Sequence, residues 1–400
     1  MKISQRKFPT YRGVRSRNSY RYRWVVKLRQ VGFVAFFLLV LGSASLLSNV
    51  KGDASVVVPN GSLNTESVEK TDVASTVVNS PKAGSVQKTV TVPTSPNVAV
   101  QQSTVLPVVA RPAWLDLPLY VDPNNTATSY ANANPATANV DLIARMGQQP
   151  VAHWFGDWDE DVTSSVDSVV SAASEVGAVP VLVFYNIPDR DCGGYSANGA
   201  STASDYIQWV TEAAAGIENR TAVVVLEPDA IAGADCLSFS DQQGRYQAIA
   251  QAVTIIKAQA NSYVYIDAGN PTWQSVATMA QRLKVSNIAG ADGFSLNVSN
   301  FSSTSLNTSY GDQLSKALNG KHYVIDTSRN GGDMVVTGPL YNPPNASLGT
   351  IPTTHTDNTN IDALLWIKIP WESDAPINGG PDAGDPYWNY AIQLAENAGW

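Results

Sequence analysis

Residues 222–233 read Ala-Val-Val-Val-Leu-Glu-Pro-Asp-Ala-Ile-Ala-Gly. Five apolar residues run into Glu227, Pro228 and Asp229, and so short an apolar run stopped by a proline and an acid reads as a buried strand ending at a turn. Asp229 is then a carboxylate at the mouth of a sheet, either capping the segment that follows or serving a site. Other strand-like runs end in the same way. Residues 179–184 lead into Tyr185-Asn186-Ile187-Pro188-Asp189-Arg190-Asp191-Cys192, and residues 263–266 into Asp267-Ala268-Gly269-Asn270-Pro271-Thr272-Trp273. Residues 323–325 lead into Asp326-Thr327-Ser328-Arg329-Asn330-Gly331, and residues 363–369 into Pro370-Trp371-Glu372-Ser373-Asp374. Acids, aromatics and glycines just past successive strands are the pattern of an active site on an α/β barrel.

Seven such runs are found: residues 150–155, 179–185, 222–226, 263–267, 293–297, 323–327 and 363–369. Helical patterns lie between most of them, at 162–176, 204–217, 242–260, 274–283 and 312–318, and another closes the chain at 388–398. Strand and helix alternating at this spacing predict parallel strands with right-handed crossovers. The expected fold is α/β, a distorted seven-stranded parallel (β/α) barrel over residues 112–400.

The first 111 residues do not share this pattern. All ten basic residues of segment 1–30 stand without one acid, so 26 − 10 = 16 Lys and Arg face 34 Asp and Glu beyond it, a formal charge of 16 − 34 = −18. So acidic a domain repels nucleic acid and anionic membrane, which excludes both as partners of the folded part. Residues 31–47 are apolar and uncharged, as in an export signal or a membrane anchor, with Ser43-Ala44-Ser45 as a small-residue cleavage motif. The basic flank keeps segment 1–30 cytoplasmic in either case. Residues 48–111 are rich in Val, Thr, Ser, Pro and Asn without a sustained period, and read as a disordered tether. The expected location is extracytoplasmic, secreted or anchored by residues 31–47.

Three histidines and two cysteines, without His-x-x-x-His or Cys-x-x-Cys spacing, argue against a protein-ligated metal. No Gly-x-Ser-x-Gly elbow, phosphate loop or dinucleotide fingerprint occurs. Carboxylates are the chemistry available, and no cofactor is expected. Lys368 interrupts the apolar run Leu364-Leu365-Trp366-Ile367. An ammonium near a core needs a partner, which Asp374 or Glu372 can supply, with Arg329 a second cation for the cluster.

The segments 185–192 and 224–229 resemble the two signature segments of glycoside hydrolase family 6, the inverting cellulases. Further matches follow in order at Asp267-Ala268-Gly269, residues 293–301, residues 325–331 and residues 362–374, so that the resemblance spans about 113–400. It implies hydrolysis of internal β-1,4-glucosidic bonds, with a β-glucan as partner and a monomeric enzyme. The compact length is closer to bacterial endoglucanases than to cellobiohydrolases, which implies an open cleft. A non-catalytic glucan-binding protein of the cell surface, or a hydrolase of another β-glucan, is the alternative.

By this resemblance Asp229 is the general acid, Asp191 the aspartate that keeps it protonated and organises water, and Asp374 the position proposed for the base. Arg190 offers Asp191 a turn salt bridge as its structural alternative. The resemblance places Trp154, Tyr185 and Trp273 under glucose rings, and Asp267, Asn297, Lys368 and Glu372 against sugar hydroxyls, with Arg329 in the same cluster. It also implies a Cys192–Cys236 disulfide. Four positions depart from the family: Asn270 replaces a histidine, Trp371 replaces a glycine as an added platform or a narrowing of the cleft, and Tyr341 and Pro376 stand near the places of a second disulfide.

Overall fold

The computed structural model describes residues 111–332, 334 and 340–400; the expectations for 1–110 fall outside the described residues. Seven parallel strands form one curled sheet in the order β1-β2-β3-β4-β5-β6-β7. They are β1 (His153–Phe155), β2 (Val181–Phe184), β3 (Ala222–Leu226), β4 (Ser262–Asp267), β5 (Gly293–Leu296), β6 (His322–Asp326) and β7 (Ile361–Leu365). Among the described residues no ladder joins β7 to β1; the seam is spanned just outside them, where Ala152 N–H donates to Trp366 O at 3.0 Å.

The residues sort by the two-residue period of a strand. Val183, Val223, Val225, Tyr265, Val324, Ala363 and Leu365 pack together inside the curl, while Leu182, Phe184, Val224, Leu226, Ile266, Phe294 and Ile325 meet the helices outside. The outer helices include α3 (Val162–Glu175), α4 (Ala203–Ile217), α5 (Phe239–Lys257), α6 (Val276–Val285) and α7 (Thr304–Ala317). Each begins on a side chain that satisfies an orphan N–H: Asp161, Thr202, Ser238, Ser275 and Ser303 accept from the residue three positions on. In α3, Val162, Val166, Val170 and Ala173 form the buried stripe, and fully burying a valine of this kind is worth about 1.5–3 kcal/mol.

Four elements depart from the sequence expectation. Helices α1 (Thr126–Ala133) and α2 (Val140–Gly147) precede the barrel and pack with α8 (Trp388–Asn397) in a separate apolar cluster that includes Trp366 and Trp371. Helix α7 starts eight residues before the expected 312. Strand β7 ends at Leu365, so Trp366, Ile367 and Lys368 belong to the loop that enters the site.

Candidate active site

The interior face of each strand continues past its last ladder residue, and that parity builds the mouth of the barrel. Following Val223 and Val225 is Glu227; following Tyr265 is Asp267; following Val324 is Asp326. All three acids are buried and act as acceptors for loop N–H groups. Glu227 takes Asn186 N–H (3.0 and 3.1 Å) and Ile187 N–H (3.0 Å). Asp326 takes Ser299, Ser328 and Lys368 N–H at 2.9–3.0 Å. Burial pushes Glu227 up to about 7, against the backbone donors and Arg190, which favour its charge. Glu227 was missed from sequence, although an acid ending a wholly apolar strand needs internal partners.

Asp229 caps no helix. It stands in a left-handed turn (φ 68°) after Pro228, and the next regular helix, α5, begins ten residues later at Phe239. Its N–H donates to Asp267 Oδ1 at 2.9 Å, and its side chain stays partly accessible. Burial raises its carboxyl well above the ordinary range, and the charges of Asp267 and Asp191 raise it further. Asp267 accepts Gly269 N–H (3.0 Å) and Ser295 Oγ–H (3.1 Å) besides Asp229; burial raises it too.

Asp191 follows in the loop after β2, also left-handed (φ 55°), and accepts Ser196 N–H at 2.8 Å. Burial raises its carboxyl. Its alternative role in a salt bridge with Arg190 is overturned: Arg190 pairs with Asp157 at 2.9 Å, donates to Tyr185 O at 2.6 Å and lies 4.6 Å from the Tyr185 ring centroid. A Cβ on Gly194 would overlap the Asp191 carboxylate, so the glycine keeps that seat open. Arg245 of α5 donates to Pro188 O (2.7 Å) and Asp189 O (3.0 Å), and the Cys192–Cys236 disulfide ties the same loop to the one after Asp229.

The two cations divide the acids between them. Arg329 pairs with Asp374 at 2.8 Å and donates to Ser299 O at 2.7 Å. Lys368 lies 3.7 Å from Glu372 and donates to Ser373 O at 3.4 Å. Among the described residues, the hydrogen bonds to Asp374 fall on Oδ2, from Arg329 and from Asn342 N–H.

Trp154 stands edge-on to Tyr185, with centroids 5.4 Å apart, and donates to Ile367 O at 2.8 Å. Trp273 is 42% exposed, and its ring lies over Gly269. Gly269 has φ 68°, and a Cβ there would meet Ala232 Cβ at 2.7 Å. Asn270, 5% exposed, accepts from Thr272 N–H and Oγ–H, which forms the turn that presents Trp273. Asp267 and Asn297, expected against sugar hydroxyls, are buried and hydrogen-bonded within the protein. The Asn297 amide donates to Asp326 O and accepts Ser302 N–H. Arg329 is likewise fully buried. Trp371 is no platform, because it is buried and donates to Thr126 Oγ1 at 2.7 Å.

Residues 115–398 match the family model described as glycosyl hydrolases family 6. The chain is 39% identical over 284 residues to endoglucanase A of Cellulomonas fimi, a match covering 70% of this chain and 61% of that protein. It is 39% identical over 285 residues to endoglucanase 1 of Streptomyces halstedii, covering 69% and 87%. The endoglucanase Cel6 of Mycobacterium tuberculosis, solved in complex with methyl-cellobiosyl-4-deoxy-4-thio-β-D-cellobioside, superposes with a TM-score of 0.69 at 42% identity, covering 73% of this chain and all of that one. With the family model spanning the whole described barrel, this chain belongs to glycosyl hydrolase family 6.

Proposed function

We propose that this protein is an inverting endo-β-1,4-glucanase acting on cellulose or a related β-glucan. The observation that carries the reading is the place of Asp229, a half-buried residue at the barrel mouth beside Asp267, its carboxyl raised well above the ordinary range by burial and by the charges of Asp267 and Asp191. A carboxyl raised in this direction suits general acid work on a leaving alkoxide. In the proposed step Asp229 gives its proton to the glycosidic oxygen as the C1–O bond breaks. Water adds to C1 from the opposite face and loses its proton, and Asp229 is reprotonated from solvent. Asp191 organises that water, and Asp374, paired with Arg329, is the proposed acceptor of its proton. Trp154, Tyr185 and Trp273 offer ring faces to glucose, and Lys368 with Glu372 reaches its hydroxyls. The endoglucanase relatives and the thio-oligosaccharide complex support the substrate class. Export of the barrel, with residues 31–47 as signal or anchor, is part of the proposal and agrees with a disulfide.

The test uses cellohexaose. The wild type should release reducing ends with the α-anomer formed first, and Asp229→Ala should bind the hexaose with hydrolysis abolished. A wild type that binds the hexaose and cleaves nothing would leave only a glucan-binding protein.

A further inference from the structure

A segment after β6 and the loop after β7 meet on one side chain, and that side chain brackets Asp374. Asn342 is 1% exposed and left-handed (φ 45°), a conformation that asparagine tolerates better than most residues. Its backbone N–H donates to Asp374 Oδ2 at 3.0 Å, and its Oδ1 accepts Asp374 N–H at 2.9 Å. Its Nδ2 donates to Ser373 Oγ (3.0 Å), Ala375 O (2.8 Å) and Ile377 O (3.1 Å), so the turn 373–377 is wrapped around one amide. The wrapping is close: a Cβ on Gly380 would overlap Asn342 Nδ2 and Ser373 Oγ. No covalent bond joins the two segments, because both cysteines of the sequence are in the Cys192–Cys236 disulfide. Arg329 also donates to Oδ2, at 2.8 Å, and among the described residues no hydrogen bond reaches Asp374 Oδ1.

We propose that Asn342 is a positioning residue of the hydrolytic step: it fixes Asp374 through Oδ2 and the backbone, and leaves Oδ1 to take the proton of the attacking water. This rests on the reading above, in which Asp374 is the acceptor. The water O–H bond breaks toward Oδ1 as the water oxygen bonds C1, while the C1–O bond breaks and Asp229 protonates the leaving oxygen. A carboxylate free to turn would offer either oxygen, whereas one held at Oδ2 from two sides and at its own N–H offers one. Buried as it is, Asn342 acts only through Asp374. A displacement of about 1 Å at such a group costs roughly 10²-fold in rate.

Asn342→Gly and Asn378→Gly form a matched pair, tested on cellohexaose beside Asp374→Ala. Both asparagines are left-handed (φ 45° and 54°), and Asn378 Nδ2 joins the same two segments by donating to Tyr341 O at 2.8 Å. Asn342→Gly should lower kcat roughly 10- to 100-fold with KM unchanged, and azide, a nucleophile that needs no base, should restore part of the rate in it and in Asp374→Ala. Asn378→Gly should keep the wild-type kcat and gain nothing from azide. Asn342→Asp, which keeps an acceptor for Asp374 N–H and loses the donors to the turn, should follow Asn342→Gly and replaces it if the glycine variant does not fold. Equal losses in the two glycine variants, or a raised KM with kcat intact, would overturn the proposal. So would a loss in Asn342→Gly that azide leaves unchanged. If Asp374→Ala keeps the wild-type kcat, the base assignment falls and the bracket with it. If Asp374→Ala is inactive while Asn342→Gly is unimpaired, the bracket alone fails.

Discussion

The carboxylate of Asp267 does two things to Asp229 at once: it accepts the backbone N–H that fixes where the acid stands, and its charge opposes the acid's ionisation. Replacing Asp229 by Asn should lower kcat roughly 10²- to 10⁴-fold while raising the melting temperature at pH 7. The sign follows from linkage. A carboxyl whose folded pKa is raised holds a proton that the unfolded chain has lost, so stability falls as pH climbs from the unfolded value of about 3.9 toward the folded one. The asparagine removes that loss, so melting curves of variant and wild type should separate at pH 7 and converge near pH 4; a gap independent of pH would refute the assignment. Glu227, pushed up to about 7, carries the same sign, and Glu227→Gln should flatten the decline in stability between pH 5 and pH 7. Its cost is a disturbed seat for the Asn186 and Ile187 N–H groups. Sequence located the aspartates because spacing and motif fix the chain position of a carboxyl. It did not show which polar groups stay available to a sugar, because that depends on partners supplied by other strands: Asn297 is consumed by Asp326 O and Ser302 N–H, and Trp371 by Thr126.

The loop after β2 carries Tyr185, Asp191 and Tyr195 and contains little regular structure, so its shape depends on straps. Arg245 holds its start through two carbonyls, Arg190 turns back onto Tyr185 O and Ser196 O, and Cys192 is bonded to Cys236, 44 residues on. A crosslink closing a loop of that size stabilises by about 4 kcal/mol in the chain-entropy model, which corresponds to roughly 10 °C in a domain of this size. Reduction should therefore lower the melting temperature by about that much, and kcat should fall before the barrel unfolds because Cys192 adjoins Asp191. An unchanged melting curve under reductant would show that this strap bears no weight. The same contrast explains which elements were legible. Strand β3 was read to the residue because five apolar residues between turn signals have one good structure. Helices α1 and α2 escaped because each has only eight residues, and α1, TATSYANA, has no wide apolar stripe. The expected last strand ran on to residue 369 because its apolar residues continue, but past Leu365 they leave the ladder to form Trp366, the partner of Trp400, and to carry Lys368 to Glu372.

Among the described residues, the barrel is a sheet whose two edges are held together without a ladder. Across the seam Ala152 N–H donates to Trp366 O and Trp154 Nε1–H to Ile367 O. Toward the strands' N-terminal ends a chain of side chains crosses the interior. Trp114 Nε1–H donates to Tyr265 Oη at 3.2 Å, Tyr265 Oη–H donates to Asp362 Oδ2 at 2.6 Å, and Asp362 Oδ1 meets His322 Nδ1 at 2.8 Å. This ties the segment before α1 to β4, β7 and β6 through the interior. Central strands β3 and β4, paired on both sides, should exchange their amide hydrogens last, and β1 and β7 first among the strands. Tyr265→Phe removes the donor to Asp362 and the acceptor for Trp114, at a cost of about 1–3 kcal/mol for buried groups left without partners. If the floor network anchors β7, that variant should quicken exchange in β7 far more than in β3, which contributes no side chain to the network. Uniform acceleration across all seven strands would mean that Tyr265 serves global stability alone and that the seam is held by packing.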